Sequence, residues 1–327
     1  MIVVSGVAGT LVGPLPWPIE TLPGFVQRDA VEKEGLAERV EAALADAGFT
    51  TDDLAWQPVG VFAAANGGDA CALSRRFDWC GPAIGIDAEC AGGLVALLLA
   101  ADALALGECS LAVVFAEHHA TPLPGNLWDE TCAPLSAAAK EGASRAGTAV
   151  VVLARADGAR RRRARLLGGT HRRLGSPSGM IGLSLRGVCE LLEEGLARAR
   201  LAPMDLGYCE LHAIGTPVGD AVEIAAFGRL WGTGRRGDRC TRLGSHKSSF
   251  GHLEEASGLV SLARLLGWLE TGVSPPTRWR QPFSPHAAVP PTLALCDGGV
   301  PAIGAGGCVA LSRSGVGAFV LLAGMDA

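Results

Sequence analysis

Lysine is almost missing from this chain of 327 residues: Lys33, Lys140 and Lys247 are the only three among 28 basic residues, and the formal net charge is −5. Aromatic residues make up only 5%. A phosphate-binding surface needs a basic face, so the composition argues against nucleic acid as the main partner. The one conspicuous basic run is Arg160, Arg161, Arg162 and Arg163. It reads as a solvated turn between two strands, with a docking contact for an acidic protein as the alternative. The ten cysteines have no regular spacing and no C-x-x-C pair. They read as reduced thiols rather than a disulfide framework, and no metal site is implied. The apolar start at residues 1–13 has no basic leader, and glycines and prolines interrupt it before it could cross a bilayer. It is expected to be a core strand, with no membrane partner and a cytoplasmic location.

What is present is apolar: 49% of the residues are hydrophobic, enough for one large domain or two fused ones. Short β-branched or alanine-rich runs alternate with helical stretches, the pattern of an α/β protein. Strands are expected at 2–7, 60–64, 110–116 and 148–154, with helices at 30–46 and 91–107. A second series has helices at 183–200, 219–231 and 256–270, and strands at 207–211, 241–245, 307–311 and 318–323. The two series share an element order, which suggests a duplication into halves 1–156 and 157–327.

Cys90 sits in Asp87-Ala88-Glu89-Cys90-Ala91-Gly92-Gly93, where a strand-like run gives way to an alanine- and leucine-rich helix. A helix start leaves N–H groups unpaired and carries positive dipole charge, so a thiol there is expected to be pushed toward its anion. A buried space-filling thiol is the plainer alternative. Downstream lie Glu210-Leu211-His212-Ala213-Ile214-Gly215-Thr216-Pro217-Val218-Gly219-Asp220 and Lys247-Ser248-Ser249-Phe250-Gly251-His252-Leu253-Glu254-Glu255-Ala256.

In order and spacing these three segments resemble the β-ketoacyl synthases of fatty acid and polyketide synthesis, whose motifs read D-T-A-C-S-S-S-L-V-A, E-A-H-G-T-G-T-x-x-G-D-P-I-E and K-S-N-x-G-H-x-E-A-A-A-G. The resemblance implies the thiolase fold, two similar halves packed as a five-layered α/β/α/β/α sandwich. It places Cys90, His212, Lys247 and His252 on the four functional positions. The implied chemistry is acyl transfer to Cys90 and then condensation with a carbanion made by decarboxylating a malonyl-type thioester. His212 and His252 would donate hydrogen bonds to the developing enolate, and His252 would also support the thiolate. Lys247 would orient the histidines and the departing carboxylate, where arginine's wide fork would not serve. An ion pair with a buried Glu254 is the alternative reading of this lysine, and Glu254 is otherwise a supporting residue.

The resemblance further assigns the oxyanion-hole N–H groups to Cys90 and Arg313, and a phosphopantetheine contact to Thr216. No bound cofactor is implied, because the acyl groups would arrive on the phosphopantetheine of an acyl carrier protein or on CoA. A homodimer, or a heterodimer with another ketosynthase-like subunit, is expected. The chain also departs from the family. Arg313 stands at an aromatic gatekeeper position between Ser312 and Ser314, where the family has glycines. Ala91, Gly92 and Gly93 replace serines, and Ile214 replaces a threonine. The family's chains are longer, with the difference falling before Cys90 and between Cys90 and His212, where loss would thin the acyl tunnel and dimer surface. Three functions follow: a condensing enzyme, a non-decarboxylating acyltransferase or cyclase on the same scaffold, and a non-catalytic partner subunit, against which Cys90 itself argues. His118 and His119, neighbours on a strand, face opposite sides and are expected to serve the fold near the site. Asp220 and Glu223 are expected to cap a helix start.

Overall fold

A computed structural model of the chain describes residues 1–12, 22–28, 35–64, 67–119, 133–137, 144–175, 183–232, 240–279, 281, 283–299 and 304–326. Lys33, Lys140 and the expected helix start at 30–34 lie outside these residues. The first series is β1 (Ile2–Val12), β2 (Phe25–Arg28), α1 (Gly35–Asp46), α2 (Thr51–Leu54), β3 (Val59–Ala64), α3 (Gly67–Arg76), β4 (Ala83–Gly85), α4 (Gly92–Leu106), β5 (Leu111–His118) and β6 (Gly147–Arg155). The second is β7 (Ala164–Arg173), α5 (Leu185–Ala199), β8 (Leu206–Glu210), α6 (Pro217–Trp231), β9 (Thr241–Gly244), α7 (Lys247–Phe250), α8 (Ser257–Thr271), β10 (Leu293–Leu295), β11 (Ala305–Leu311) and β12 (Val316–Ala323).

The strand order makes the repetition explicit. The first half pairs as β4-β3-β5-β6-β1 and the second as β9-β8-β11-β12-β7. In both, the first two pairings are parallel and the next two antiparallel. β2 adds to β1 and β10 to β9. A short antiparallel pairing of Ile2–Val4 with Ala164–Leu166 joins the half-sheets into one of 12 strands.

Hydrophobic pattern decides which helices lie inside. α4 is apolar on all sides, as a helix buried all round must be. Together with α8 it forms the middle layer, touching strands of both half-sheets. α1 and α3 cover the outer face of the first half-sheet, and α5, backed by α6, covers that of the second. Three apolar clusters result, a central one around α4 and α8 and one under each outer layer. This is the five-layered sandwich that the resemblance implies. Residues 89–106 are long and apolar enough to cross a membrane, a feature not weighed in the sequence, but 72% of that window is buried inside the protein as core helix.

The basic run does lie in a turn between two strands, the β6–β7 connection. Arg163, however, is not solvated: its side chain is 4% exposed and is paired with Asp46 of α1 and with Glu270 of α8 at 2.6 Å. Arg160 pairs with Asp53 at 2.8 Å, and Arg161 pairs with Asp46. Arg160, Arg161 and Arg162 stay exposed, while the pairs made by Arg163 tie an outer helix to the middle layer.

α4 and α8 approach at glycines. A Cβ on Gly93 would lie 2.9 Å from the Glu255 carbonyl oxygen, and one on Gly258 would lie 2.7 Å from Leu94 Cγ. Neither can grow without moving a helix. Gly93→Val is therefore expected to destabilise the protein by about 1–3 kcal/mol in denaturant unfolding. A stability within error of the parent would mean that the two helices are free to separate.

Candidate active site

In open α/β sheets, sites form beyond the carboxyl ends of parallel strands, and here two such edges face one another. Cys90 follows β4, His118 ends β5, His212 follows β8, Lys247 and His252 follow β9, and Arg313 follows β11. Cys90 lies in a 3₁₀ turn, Glu89–Ala91, that runs into α4. The second half repeats the device, with the 3₁₀ turn Glu254–Ala256 running into α8. The leading residues of both turns, Glu89 (φ 48°) and Glu254 (φ 43°), hold left-handed backbone conformations that are strained for a residue with a Cβ.

The structure brings Cys90, His252 and Glu254 into contact. Cys90 Sγ lies 3.2 Å from His252 Nε2 and donates to Glu254 Oε2 at 3.2 Å. Ser257 fixes the ring: its hydroxyl accepts from the Leu253 N–H at 2.9 Å and lies 2.8 Å from His252 Nδ1. With the Ser257 proton given to Nδ1, it is Nε2 that carries the hydrogen facing Cys90. His212 stands edge-on to His252, ring centroids 5.8 Å apart, and its buried Nδ1 has no hydrogen-bond partner among the described residues. Lys247 is almost wholly buried at the start of α7. Burial, reinforced by the Lys247 charge, holds both histidines well below the usual imidazole range, so both are neutral at pH 7.

The thiol differs from the sequence expectation. Burial and then the Glu254 carboxylate push Cys90 far above the ordinary thiol range, outweighing the lowering by Lys247. The Cys90 side chain is thus a neutral thiol that donates to one neighbour and accepts from another. Glu254 also differs from the buried partner first considered, because its side chain is 28% exposed. Sγ, Nε2 and a Glu254 oxygen lie within 4.8 Å of one another, a set that could hold a thiophilic divalent cation.

Two carboxylates of α6, expected to cap its start, brace the His212 loop instead, because the N–H groups they accept all precede the helix. Glu223 accepts the N–H groups of His212 (2.7 Å) and Ala213 (2.8 Å), and Asp220 accepts those of Leu135, Gly215 and Thr216. Burial raises both acids, Asp220 to about 6. Thr216 and His212 line a cavity of about 490 Å³ together with Ile214, Leu311, Ser312 and Arg313. The cavity meets the site at His212; Cys90 is not on its wall.

Arg313 is exposed in a turn held by Ser312, whose backbone N–H donates to the Val316 carbonyl at 2.8 Å and whose Oγ accepts the Val316 N–H at 3.0 Å. Glu89 accepts the Ser314 N–H at 3.0 Å, tethering that turn beside Cys90. Sequence reasoning missed Glu89, Ser257 and the buried His246. The first two were legible only as the residue before the nucleophile and as a serine five residues after His252. His118 and His119 do diverge: His118 meets Glu255 and Ser144, while His119 lies toward Glu117.

Because the Glu254 carboxylate disfavours the thiolate, Glu254→Gln should shift the pH profile of Cys90 alkylation by iodoacetamide to lower pH. At pH 7 the variant is then alkylated faster than the parent. An unmoved profile in peptide-resolved labelling would show that Glu254 does not govern the thiol.

Comparison with known proteins gives the same picture. Residues 68–159 match the family model of the β-ketoacyl synthase N-terminal domain, and residues 168–279 match that of its C-terminal domain. Similar curated proteins include the 5-methyl-1-naphthoate synthase of Streptomyces sahachiroi, 30% identical over 77% of this chain and 16% of that protein. Another is a highly reducing polyketide synthase, GPY1, of Gibberella fujikuroi, 33% identical over 64% of this chain and 9% of that protein. The chain thus spans only a small part of the curated relatives it matches. Among solved structures, the eighth ketosynthase domain of OzmH from Streptomyces albus superposes with a TM-score of 0.78 at 25% identity, covering 99% of this chain and 95% of that one. The ketosynthase from module 6 of the Bacillus subtilis bacillaene synthase gives 0.84 at 19% identity, covering 98% and 71%. With both domain models matched in order along one thiolase-like fold, the chain belongs to the β-ketoacyl synthase family.

Proposed function

We propose that this chain is a condensing enzyme that loads an acyl group onto Cys90 and extends it with a malonyl-type thioester carried on the phosphopantetheine arm of an acyl carrier protein. The observation that carries the reading is Cys90 Sγ at 3.2 Å from His252 Nε2, with neutral His212 and buried Lys247 completing the set. In the first step Sγ attacks the thioester carbonyl, and its proton has a near acceptor in Glu254 Oε2. The carrier thiol leaves, and backbone N–H groups at Cys90 and Arg313 hold the oxyanion. In the second step the malonyl carboxylate departs as carbon dioxide, and imidazole N–H groups of His212 and His252 hold the enolate oxygen. The carbanion then attacks the acyl-Cys90 carbonyl, which releases the thiol and forms the β-ketoacyl product. Neutral imidazoles suit this role, because they donate without protonating the carbanion. The cavity with Thr216 on its wall would take the pantetheine arm. The partners on this reading are the carrier protein and a second ketosynthase-like subunit, identical or not, in the cytoplasm.

One observation favours a second reading, a transferase or cyclase that does not decarboxylate. Arg313, a cation, is among the residues that line the cavity, a setting compatible with a polar or carboxylated acyl group.

Intact-mass measurement with acyl thioesters tests the first reading. Cys90→Ala should abolish acylation at position 90 without unfolding the protein, and parent protein whose acyl group never maps to the Cys90 peptide would sink the nucleophile assignment. His212→Ala should lower carbon dioxide release from malonyl thioesters about a hundredfold or more while acyl loading suffers less. Wild-type protein that acylates but decarboxylates no malonyl thioester would favour the second reading. For Arg313, Arg313→Phe is expected to raise the rate on alkyl relative to carboxyalkyl thioesters; an unchanged ratio would retire the polar-substrate idea.

A further inference from the structure

Beside the Cys90 site lies a second constellation that condensation does not use. Ser144 Oγ is 2.6 Å from His118 Nε2, and His118 Nδ1 is 2.9 Å from Glu255 Oε2. A hydroxyl within hydrogen-bond reach of one imidazole nitrogen, with a carboxylate holding the other, is the geometry of an activated serine, recognised by distances and roles rather than by chain order. The fold explains the convergence. His118 ends β5, Ser144 precedes β6, which runs antiparallel to β5, and Glu255 sits in the 3₁₀ turn that opens α8. Glu255 therefore occupies at α8 the place that Cys90 occupies at α4.

The group is accessible as a catalytic set must be: the His118 and Glu255 side chains are 21% and 37% exposed, and Ser144 is half-buried. It adjoins the first site through the backbone. Ser144 forms a β-bridge with His252, and the Arg145 N–H donates to the His252 carbonyl at 2.6 Å. The Glu255 carboxyl, though raised by half-burial, lies below its usual range on balance because His118 hydrogen-bonds to it, so it is an anion suited to orient the ring.

We propose that Ser144, with His118 as general base and Glu255 as positioning residue, is a second nucleophile that hydrolyses acyl thioesters. Ser144 Oγ attacks the carbonyl as His118 Nε2 takes its proton; the C–S bond breaks, and His118 returns the proton to the departing thiolate. Water then attacks the seryl ester, giving its proton to His118. The C–O bond breaks, a carboxylic acid is released, and Ser144 recovers its proton. The chemical outcome is removal of acyl groups presented at the site that are not condensed. The choice of thioester as substrate rests on the preceding reading, whereas the nucleophile does not.

A fluorophosphonate probe with peptide mapping tests the nucleophile directly, because it marks activated serines and requires neither acyl-Cys90 nor malonyl chemistry. The full chain should acquire an adduct on Ser144, lost in Ser144→Ala. Labelling should slow on the order of a hundredfold in both His118→Ala and the better-packing His118→Gln. Glu255→Gln should slow it roughly tenfold, with Glu255→Asp restoring part of the rate, which a merely structural carboxylate would not do. No adduct on Ser144, or labelling indifferent to both His118 variants, overturns the proposal whether or not Cys90 acylates.

Discussion

The contact between α4 and α8 is the constraint on which the rest of the molecule depends. Both helices are buried over most of their length, and they meet where Gly93 and Gly258 leave no room for a side chain. Each begins in a 3₁₀ turn led by a strained glutamate. The crossing therefore fixes two chain reversals at once: one delivers Cys90, the other Glu254 and Glu255. The 3.2 Å separation of Cys90 from His252 and Glu254 is a consequence of helix packing rather than of local loop chemistry. Arg163, paired with Asp46 and Glu270, ties the same middle layer to an outer helix.

Electrostatics then set the protonation states of what packing has assembled. One buried cation, Lys247, sits among buried imidazoles, and it holds them neutral by repulsion added to desolvation. The buried acids are engaged with backbone N–H groups: Glu223 and Asp220 hold the His212 loop, and Glu210 accepts from the His246 N–H at 3.0 Å while facing Arg264. A polar site inside an apolar sandwich survives because most of its buried donors and acceptors are paired. Among the described residues the exceptions here are His212 Nδ1, His246 Nε2 and one Arg264 Nη nitrogen, and of these three residues His212 lines the cavity.

Much of this was legible in the sequence. The long apolar or alternating runs of β1, β5, β6, β8, β11 and β12 announce themselves, as do α4 and α8, because burial forces a hydrophobic pattern on them. β4 and β10, three residues each and only partly buried, carry no such pattern. β7 is masked by its arginines and α3 by its glycine-led, polar composition. Cys90, His212, Lys247 and His252 were legible because their chemistry fixes residue type and neighbours together. The charge state of Cys90 was not, since the helix start argues for a thiolate while the carboxylate that opposes it comes from a segment 164 residues away. Glu89, Ser257 and the Ser144–His118–Glu255 set escaped for the same reason: their meaning lies in partners brought together only by the fold.

Several positions at which the chain departs from the family's motifs lie in the turns that open the two middle helices. Glu89 replaces a small residue beside Cys90, and its carboxylate holds the turn that carries Arg313, itself a departure. Glu255 replaces another small residue, in the matching turn of the second half, and it holds His118. The two carboxylates are not at equivalent places, since Glu89 leads its turn and Glu255 stands second in its own, where the first half has Cys90. Change also reaches the crossing itself, where Gly93 takes the place of a serine and packs against the Glu255 carbonyl, and Ser257, which holds His252, takes the place of a small apolar residue. In this chain packing at the crossing admits no side chain at Gly93, whereas the turns beside it carry carboxylates that reach outward to Ser314 and His118.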